Sequence, residues 1–481
     1  MKTPRLAGPH LLLAALALGP LPLAAQDDEG LIGRWSGTLV AGAQQLAIVY
    51  NIARAEDGSL TGTMDVPTQG AAGIPLTTVS FTEGTLALTF PVPGGGTYEG
   101  TLDASGERLT GTFSQATQSF PLSLERTDAP PPPSRPQEPE APFPYSVEEA
   151  RIDQPDGGFQ LVGTLTVPEG AGPFPTAVLV SGSGPQDRDE SLLGHRPFWV
   201  LADHLTRQGI AVLRYDDRGV GESGGVHATA TSEDFASDAL AAIAHLRADP
   251  RFVGSRIGIV GHSEGGLVGP MAASRSTDVD YVVMLAGPGV SGLEVLVEQG
   301  RLINAAAGVP EEITAFNGRI QRRLAGIAES DTDLTSAAAS MRSAMREEMA
   351  GLTGENRALV EESLTDQAIE QSVSQMNSPW FRFFVSYDPR PALVGANVPV
   401  LALFGEKDLQ VPPLQSADAV ADALSGNPDA TVDVLPDLNH LFQEAETGSP
   451  TEYQSIEQTM SPVALTAVSA WILARFGPSG D

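Results

Sequence analysis

Residues 256–266 read Arg-Ile-Gly-Ile-Val-Gly-His-Ser-Glu-Gly-Gly, and they set the architecture of the region around them. The apolar run at 257–260 predicts a buried strand, and the segment 264–273 that follows can be helical. Between the two stands G-x-S-x-G, the pattern of a sharp strand-to-helix turn that holds a serine hydroxyl clear of the backbone. We therefore predict that Ser263 is a nucleophile.

A second G-x-S-x-G occurs at Gly221-Glu-Ser223-Gly-Gly225. The chain has 51 glycines, so chance matches to this pattern are common. Ser223 lies eight residues after the strand-like run 211–215, inside a glycine-rich loop. Because it lacks the adjoining strand and helix, we interpret Ser223 as a loop serine.

Strand-like and helical segments alternate on both sides of the strand-to-helix turn at residues 261–265, which we call the elbow. Apolar runs that predict buried parallel strands occur at residues 176–180, 211–215, 257–260, 281–285 and 398–404. Helical segments such as 196–208 and 232–248 lie between them, which is typical of a doubly wound α/β domain. Residues 291 to about 390 have helical periodicity and no strand signal, and they predict a helical cap inserted into this domain.

A serine nucleophile needs a base, and strand-turn-helix elbows of this kind have their acid and histidine later in the chain. Of seven histidines only His440 follows Ser263, in a turn after the strand-like run 431–435. The strand at 398–404 is followed by Gly405-Glu-Lys-Asp408, so we predict Asp408 as the acid, with Glu406 as the alternative. His262 is expected to pack inside the elbow.

The oxyanion of an acyl-transfer intermediate needs backbone N–H donors near the serine. We predict the N–H of Glu264, next after the nucleophile, and that of Ser183 in the glycine-rich loop 180–189, with Gly182 as the alternative. The run Asp187-Arg-Asp189 is interpreted as a structural turn rather than a metal site. We predict no metal at this run.

The remaining chain divides by composition. Residues 1–25 carry Lys2 and Arg5 before an apolar run and an Ala-Ala end, which predicts a signal peptide and export to the periplasm or beyond. Residues 26–126 show short alternating runs and predict a small all-β barrel or sandwich. Residues 127–144 hold eight prolines and predict a stiff linker to the α/β domain at 145–481.

Charge and cysteine content exclude several functions. The formal net charge is −32, so nucleic acid and anionic membrane surfaces would be repelled. The sequence has no cysteine, which excludes disulfides, thiolate nucleophiles and Cys-ligated zinc. We expect no stable membrane anchor, and the sequence leaves the oligomeric state open.

Several blocks together resemble the EstD-like bacterial carboxylesterases, which are α/β-hydrolases often grouped with serine-aminopeptidase-like hydrolases. The blocks are Ser181-Gly-Ser-Gly-Pro-Gln-Asp-Arg-Asp189, Tyr215-Asp-Asp-Arg-Gly-Val-Gly-Glu-Ser223, Gly261-His-Ser-Glu-Gly-Gly266, Ser378-Pro-Trp-Phe-Arg-Phe-Phe384 and Leu403-Phe-Gly-Glu-Lys-Asp-Leu-Gln-Val411. The resemblance covers roughly residues 145–476 and implies an α/β-hydrolase fold, a Ser-Asp-His triad, hydrolysis of small-molecule esters and no cofactor. It implies nothing about the all-β domain.

Two other functions stay open at this point. An aminopeptidase would need acidic pocket residues for the substrate ammonium, and Glu264 or Glu222 could supply them. A binding protein would use the all-β domain to capture a ligand. In an esterase, the aromatic block Trp380, Phe381, Phe383 and Phe384 could line an acyl pocket.

Overall fold

The computed structural model describes residues 28–41, 44–55, 58–66, 71–82, 84–92, 95–115, 118–127 and 134–477. The chain divides into two compact units, Met1–Pro130 and Pro131–Asp481. The predicted signal peptide and the prolines at 130–133 lie outside the described residues.

The described part of the first unit is an antiparallel nine-stranded sheet. Its strands are β1 (Gly33–Ala41), β2 (Gln44–Arg54), β3 (Leu60–Val66), β4 (Ala71–Pro75), β5 (Thr78–Thr82), β6 (Thr85–Phe90), β7 (Gly96–Leu102), β8 (Arg108–Gln115) and β9 (Gln118–Thr127). Their order is β4-β3-β2-β1-β9-β8-β7-β6-β5. The sheet curls so that β3 packs near β5, the opposite edge strand, and it encloses one apolar core around Trp35, Tyr50 and Tyr98. The predicted small all-β domain is confirmed.

The second unit contains an eight-stranded sheet. Its strands are β10 (Tyr145–Gln154), β11 (Phe159–Pro168), β12 (Thr176–Val180), β13 (Ala211–Tyr215), β14 (Ile257–His262), β15 (Tyr281–Leu285), β16 (Val400–Gly405) and β17 (Ala430–Leu435). The order is β10-β11-β13-β12-β14-β15-β16-β17. The first two pairings are antiparallel and the rest are parallel.

Helices cover this sheet and form an insertion after β15. They are α1 (Pro197–Arg207), α2 (Ser232–Ala248), α3 (Glu264–Arg275), α4 (Gly292–Ala306), α5 (Glu311–Ser330), α6 (Leu334–Ala350), α7 (Gly354–Ser363), α8 (Asp366–Met376), α9 (Pro379–Ser386), α10 (Arg390–Gly395), α11 (Pro413–Ala423) and α12 (Pro462–Phe476). Helices α4–α9 lie between β15 and β16, as expected for an inserted cap. The cap has an apolar core of its own, which includes Phe316, Leu324 and Met341.

The buried parallel strands lie where the apolar runs predicted them, because a strand covered on both faces needs apolar side chains at every position. Strands β12 to β16 are buried along their whole length. The hairpin of β10 and β11 was not predicted. Strand β10 is an edge strand with alternating buried and exposed residues and four charged residues in ten, so it has no continuous apolar run.

The strand order reverses at β12, which is flanked by β13 on one side and by β14 on the other. The connection after β12 leads to β13 on one side of it, and the connection after β13 leads to β14 on the other side. Because these connections diverge, a crevice opens at the carboxyl ends of β12 and β14. The loop after β12 holds Gly182 and Ser183, and the turn after β14 holds Ser263. The topology therefore places the predicted nucleophile and oxyanion loop together.

Part of the predicted linker is built into the second unit. The Arg135 guanidinium donates hydrogen bonds to the carbonyl oxygens of Gly194, Gln454 and Ile456. The Gln137 side chain donates to the carbonyl of Met460 at 2.7 Å. Residues 134–144 thus lie against the α/β unit rather than forming a free spacer.

Within the described ranges, no helix combines the length and the apolar character that a membrane span requires.

Candidate active site

Ser263 lies in the sharp turn between β14 and α3. Its backbone has φ +52° and ψ −116°, a conformation that residues with a side chain rarely adopt. The turn is held by hydrogen bonds from Ser263 N–H to the Leu285 carbonyl at 2.8 Å and from Gly266 N–H to the Ser263 carbonyl at 2.9 Å. This strained turn is the predicted elbow.

The glycines of the elbow are required by close backbone contacts. A Cβ on Gly261 would lie 1.9 Å from the carbonyl oxygen of Gly265. A Cβ on Gly265 would lie 2.0 Å from the carbonyl oxygen of Val180, the last residue of β12. Only glycine permits helix α3 to start this close to the end of β12.

Asp408 and His440 come together at the ends of β16 and β17. The Nδ1 of His440 lies 2.7 Å from Oδ2 of Asp408, and both side chains are buried. The other carboxylate oxygen of Asp408 accepts the N–H groups of Gln410 and Val411 at 2.7 and 2.9 Å. The carboxylate is thereby fixed in the orientation that holds the imidazole.

Glu406, the alternative acid, points elsewhere. It is exposed, and its carboxylate accepts the N–H of Asp437 at 3.1 Å. The structure pairs His440 with Asp408 and not with Glu406.

His262 connects the elbow to His440. Its Nε2 lies 2.9 Å from the carbonyl oxygen of His440, and the two imidazole rings are 4.8 Å apart between centroids. His262 immediately precedes Ser263, so the residue that carries the predicted base is anchored directly beside the predicted nucleophile.

Glu190 connects the same histidine to the loop after β12. Its Oε1 lies 2.8 Å from Nδ1 of His262 and accepts the N–H of Gly182 at 2.7 Å. Burial lowers the pKa of His262, but the Glu190 carboxylate, together with the His440 carbonyl and the charge of Asp408, outweighs this effect. The pKa lies above its ordinary value of 6.5. The sequence prediction gave His262 only a packing role and did not identify Glu190.

This contact changes the predicted set of oxyanion donors. Gly182 lies beside the elbow, since a Cβ on it would be 3.2 Å from Cβ of Ser263. Its N–H, however, already donates to Glu190, so Gly182 is not available to an oxyanion. The Glu264 N–H belongs to the first turn of α3, where helix geometry supplies no acceptor. Glu264 and Ser183 remain the candidate donors.

The loop 216–225 holds the loop after β12 in place. The Asp216 carboxylate accepts hydrogen bonds from the backbone N–H and the guanidinium of Arg188, the shortest at 2.6 Å. Ser223 is buried, donates to the Asp216 carbonyl at 2.7 Å and accepts the Val162 N–H at 2.8 Å. Ser223 is therefore a structural residue of this loop.

Asp187 and Asp189 also have protein partners. Asp187 accepts the N–H groups of Asp189 and Ser191, both at 3.0 Å, and Asp189 pairs with Arg214 at 2.9 Å. Across the part of the chain that the structure describes, no group of three or more His, Asp or Glu residues could hold a metal ion.

Asp217 is a buried carboxyl group behind the same loop. It accepts the hydroxyl of Ser181 at 3.0 Å and the N–H of Gln186 at 2.9 Å. Burial raises its pKa from 3.8 to about 8, and the charges of Glu264 and Glu190 add to the rise. A pKa raised in this way favours the protonated form of Asp217 at neutral pH.

Glu264 links the elbow to the cap. Its buried carboxylate accepts the indole N–H of Trp380 in α9, at 2.9 and 3.0 Å to its two oxygens, and the hydroxyl of Ser232 at 2.5 Å. Burial raises the pKa of Glu264, while the hydrogen bonds from Ser232 and Trp380 partly offset the rise. The last cap helix is therefore tied to the residue that follows Ser263.

The aromatic block of α9 is divided between core and site. Phe381 and Phe384 are buried, and Phe383 packs against the core of the α/β unit. Trp380 is partly exposed and stacks on Phe384 with ring centroids 5.0 Å apart. Of the four predicted pocket residues, Trp380 donates a hydrogen bond to Glu264, the residue that follows Ser263.

The sequence carries a family match. Residues 177–452, more than half of the chain, match the model of the alpha/beta hydrolase family. The matched region includes all of the residues of the candidate site.

A curated relative supports the resemblance that the motifs predicted. Esterase EstD of Thermotoga maritima is 29% identical over 299 residues, which cover 61% of this chain and 61% of EstD. The chain thus spans less than two thirds of that relative's length.

Solved structures of similar proteins include the Pyrococcus furiosus esterase Pf2001, with 16% identity, a TM-score of 0.43, and coverage of 69% of this chain and 92% of that one. The alpha/beta hydrolase GrgF from a Penicillium species has 15% identity, a TM-score of 0.40, and coverage of 69% and 100%. Family membership rests on the sequence match, because both TM-scores are below 0.5.

Gly265→Ala should destabilise the α/β unit, because the new methyl group would meet the carbonyl oxygen of Val180 at 2.0 Å. We expect the free energy of unfolding to fall by about 1–3 kcal/mol, as measured by urea denaturation. The control is Gly326→Ala in α5, where a Cβ meets nothing within 4 Å and alanine should be neutral or stabilising. Equal stabilities for the two variants would contradict the proposed close approach.

Asp217→Asn should change how stability depends on pH. Between pH 3.8 and about 8 the folded chain holds a proton on Asp217 that the unfolded chain has lost, so this residue makes stability fall as pH rises. The variant should become more stable relative to wild type across that window, by at most about 1.4 kcal/mol per pH unit.

Urea unfolding at pH 5, 6, 7 and 8 measures this difference. Ser181→Ala is the matched control, because it removes a hydrogen bond to Asp217 but keeps the carboxyl group and hence the pH dependence. A difference between Asp217→Asn and wild type that stays constant with pH would show that Asp217 is ionised in the folded state.

Proposed function

This chain belongs to the alpha/beta hydrolase family, and on that premise we propose that it hydrolyses carboxylic esters with Ser263 as nucleophile, His440 as base and Asp408 as acid. One observation carries the proposal. The Asp408–His440 pair, with 2.7 Å between carboxylate and imidazole, is anchored through His262 to the strained turn that presents Ser263.

The proposed reaction has two steps. In the first, Nε2 of His440 takes the proton of the Ser263 hydroxyl as the oxygen attacks the ester carbonyl carbon. The tetrahedral intermediate collapses to an acyl-enzyme, and the alcohol leaves with the proton from His440. In the second step, His440 deprotonates a water molecule, which releases the carboxylic acid and restores Ser263.

Asp408 has an orienting and electrostatic role in this scheme. Its hydrogen bond to Nδ1 selects the tautomer in which Nε2 is free to accept a proton, and its charge stabilises the imidazolium. The N–H groups of Glu264 and Ser183 would stabilise the oxyanion, because the N–H of Gly182 already donates to Glu190.

An ester is favoured over a peptide with a free amino terminus. The two acidic residues that could bind a substrate ammonium are Glu264 and Glu222. The carboxylate of Glu264 is buried, and both of its oxygens accept hydrogen bonds from Trp380. The side chain of Glu222 is 63% exposed and lies 3.6 Å from Arg188. The similarity to a protein named as an esterase also supports this choice.

Ser263→Ala should abolish turnover of p-nitrophenyl acetate, butyrate and octanoate, with a loss on the order of a million-fold in kcat. Alanyl and prolyl p-nitroanilides should not be turned over even by wild type. The matched control is Ser223→Ala, in the second G-x-S-x-G. This variant should keep ester turnover but be less stable, because it loses the two hydrogen bonds of the Ser223 hydroxyl. Anilide turnover would favour a peptidase, and ester turnover that survives Ser263→Ala would overturn the assignment of the nucleophile.

Asp408→Asn should keep the fold but lower kcat by about 10,000-fold, because the amide favours the wrong imidazole tautomer. Glu406→Gln changes an exposed residue with no contact to His440 and should keep wild-type kcat. Steady-state kinetics on p-nitrophenyl butyrate measure both variants. An active Asp408→Asn beside an inactive Glu406→Gln would transfer the role of the acid to Glu406.

A further inference from the structure

A second carboxylate–imidazole pair, Glu190 and His262, lies beside the proposed triad. Oxygen Oε1 of Glu190 is 2.8 Å from Nδ1 of His262, and both residues are buried, with 5% and 7% of their side chains exposed. Neither residue takes part in the reaction described above.

The hydrogen-bond partners of His262 determine its protonation state. Its Nε2 faces the carbonyl oxygen of His440 at 2.9 Å, and a carbonyl can only accept a hydrogen bond. Its Nδ1 faces the Glu190 carboxylate, which also only accepts when it is ionised. With an ionised Glu190, both ring nitrogens donate, and His262 is then an imidazolium. The raised pKa of His262 agrees with this geometry.

The pair joins three separate segments of the chain. Glu190 holds the loop after β12 through the N–H of Gly182, at 2.7 Å. His262 belongs to the elbow, and its hydrogen bond to the carbonyl of His440 holds the loop after β17. These are the segments that carry the proposed oxyanion donor, nucleophile and base.

The arrangement is costly for a purely structural contact. A buried ion pair gains little net stability, because desolvating two charges offsets their attraction. Oxygen Oε2 of Glu190 is buried with no hydrogen-bond partner among the described residues, and Glu190 has a positive φ of 53°. Backbone strain and incompletely paired charge at one residue are typical of functional sites.

We propose that Glu190 and His262 are a positioning pair, whose ionic hydrogen bond fixes the oxyanion loop and His440 relative to Ser263. This inference rests on the proposed function, since it assigns the pair a role in the same reaction. The pair does not touch the reacting atoms. It acts by keeping the donor, the nucleophile and the base in the geometry that the transition state requires.

Other charged groups also face this pair. Asp408 interacts electrostatically with His262 and is hydrogen-bonded to His440, whose ring packs against that of His262. Glu190 and Glu264 both raise the pKa of Asp217. A change of activity with pH would therefore reflect the titration of several groups at once. For this reason the test compares substitutions at a fixed pH.

The test is a double-mutant cycle with Glu190→Gln, His262→Gln and the double variant in the full chain. The first measurement is the rate at which a fluorophosphonate labels Ser263, with the labelled residue identified by mass spectrometry. The second is kcat and KM for p-nitrophenyl butyrate, and the third is the melting temperature. Labelling requires the nucleophile, the base and the oxyanion donors, but no particular ester.

The matched control is Asp280→Asn. Asp280 is a half-buried carboxylate paired with Arg247 and Arg256, and it directly precedes β15, at the end of the sheet opposite Ser263. This variant should lower the melting temperature while leaving the labelling rate and kcat unchanged. It separates loss of a carboxylate that pairs with cations from loss of positioning.

Each single variant at the pair should lower the labelling rate and kcat on the order of 10- to 100-fold, with KM little changed. The double variant should lose no more than the worse single variant, because the two residues act as one unit. If Glu190→Gln does not fold, His262→Gln compared with Asp280→Asn decides the question in the same way.

Single variants that label at the wild-type rate, or losses that multiply in the double variant, would overturn the pair as a positioning device. The proposed function would then still stand, provided that wild type labels at Ser263. If the wild-type chain is labelled at Ser263 but hydrolyses no ester, the proposed substrate class is wrong. The labelling rates of the variants would still test the positioning role of Glu190 and His262. A wild-type chain that is not labelled would overturn the proposed function and this inference together.

Discussion

The site depends on one backbone contact, the approach of the first turn of α3 to the end of β12. A Cβ on Gly265 would lie 2.0 Å from the carbonyl oxygen of Val180, so glycine is the residue that permits this contact. With α3 in this position, the loop after β12 runs directly beside Ser263. The strained φ of +52° at Ser263 follows from the same tight turn. The proposed nucleophile and the proposed oxyanion loop are adjacent because two backbones meet without a side chain between them.

Buried charge is the second constraint, and it is handled in three different ways around the elbow. Glu190 is paired with His262, Asp216 is paired with the guanidinium of Arg188, and burial raises the pKa of Asp217. An isolated carboxylate in such a place would be strongly disfavoured. Each solution also fixes the loop after β12, since Glu190, Asp216 and Asp217 all accept backbone N–H groups from it. The same acidic residues that are costly to bury thereby order the loop.

The cap is connected to this network through a single residue. Glu264 supplies a candidate oxyanion N–H from its backbone, while its side chain accepts the indole N–H of Trp380 in α9. The position of the last cap helix and the position of the elbow are therefore not independent. Trp380 is partly exposed, and its ring stacks on that of Phe384.

The sequence alone determined the two domain types, the buried strands β12 to β16 and the helical cap, and it predicted Ser263, Asp408 and His440 as the catalytic residues. These follow from local signals, because apolar periodicity reflects burial on one or both faces and the elbow is a short contiguous motif. Only the tertiary structure decided that Gly182 donates to Glu190, that His262 bridges Glu190 and His440, and that Glu264 binds Trp380. The physical reason is that the two contacts of His262 join residues 72 and 178 positions apart. A hydrogen bond between distant segments produces no pattern in the sequence of either segment. The partner of a carboxylate or an imidazole can therefore be identified only from the folded structure.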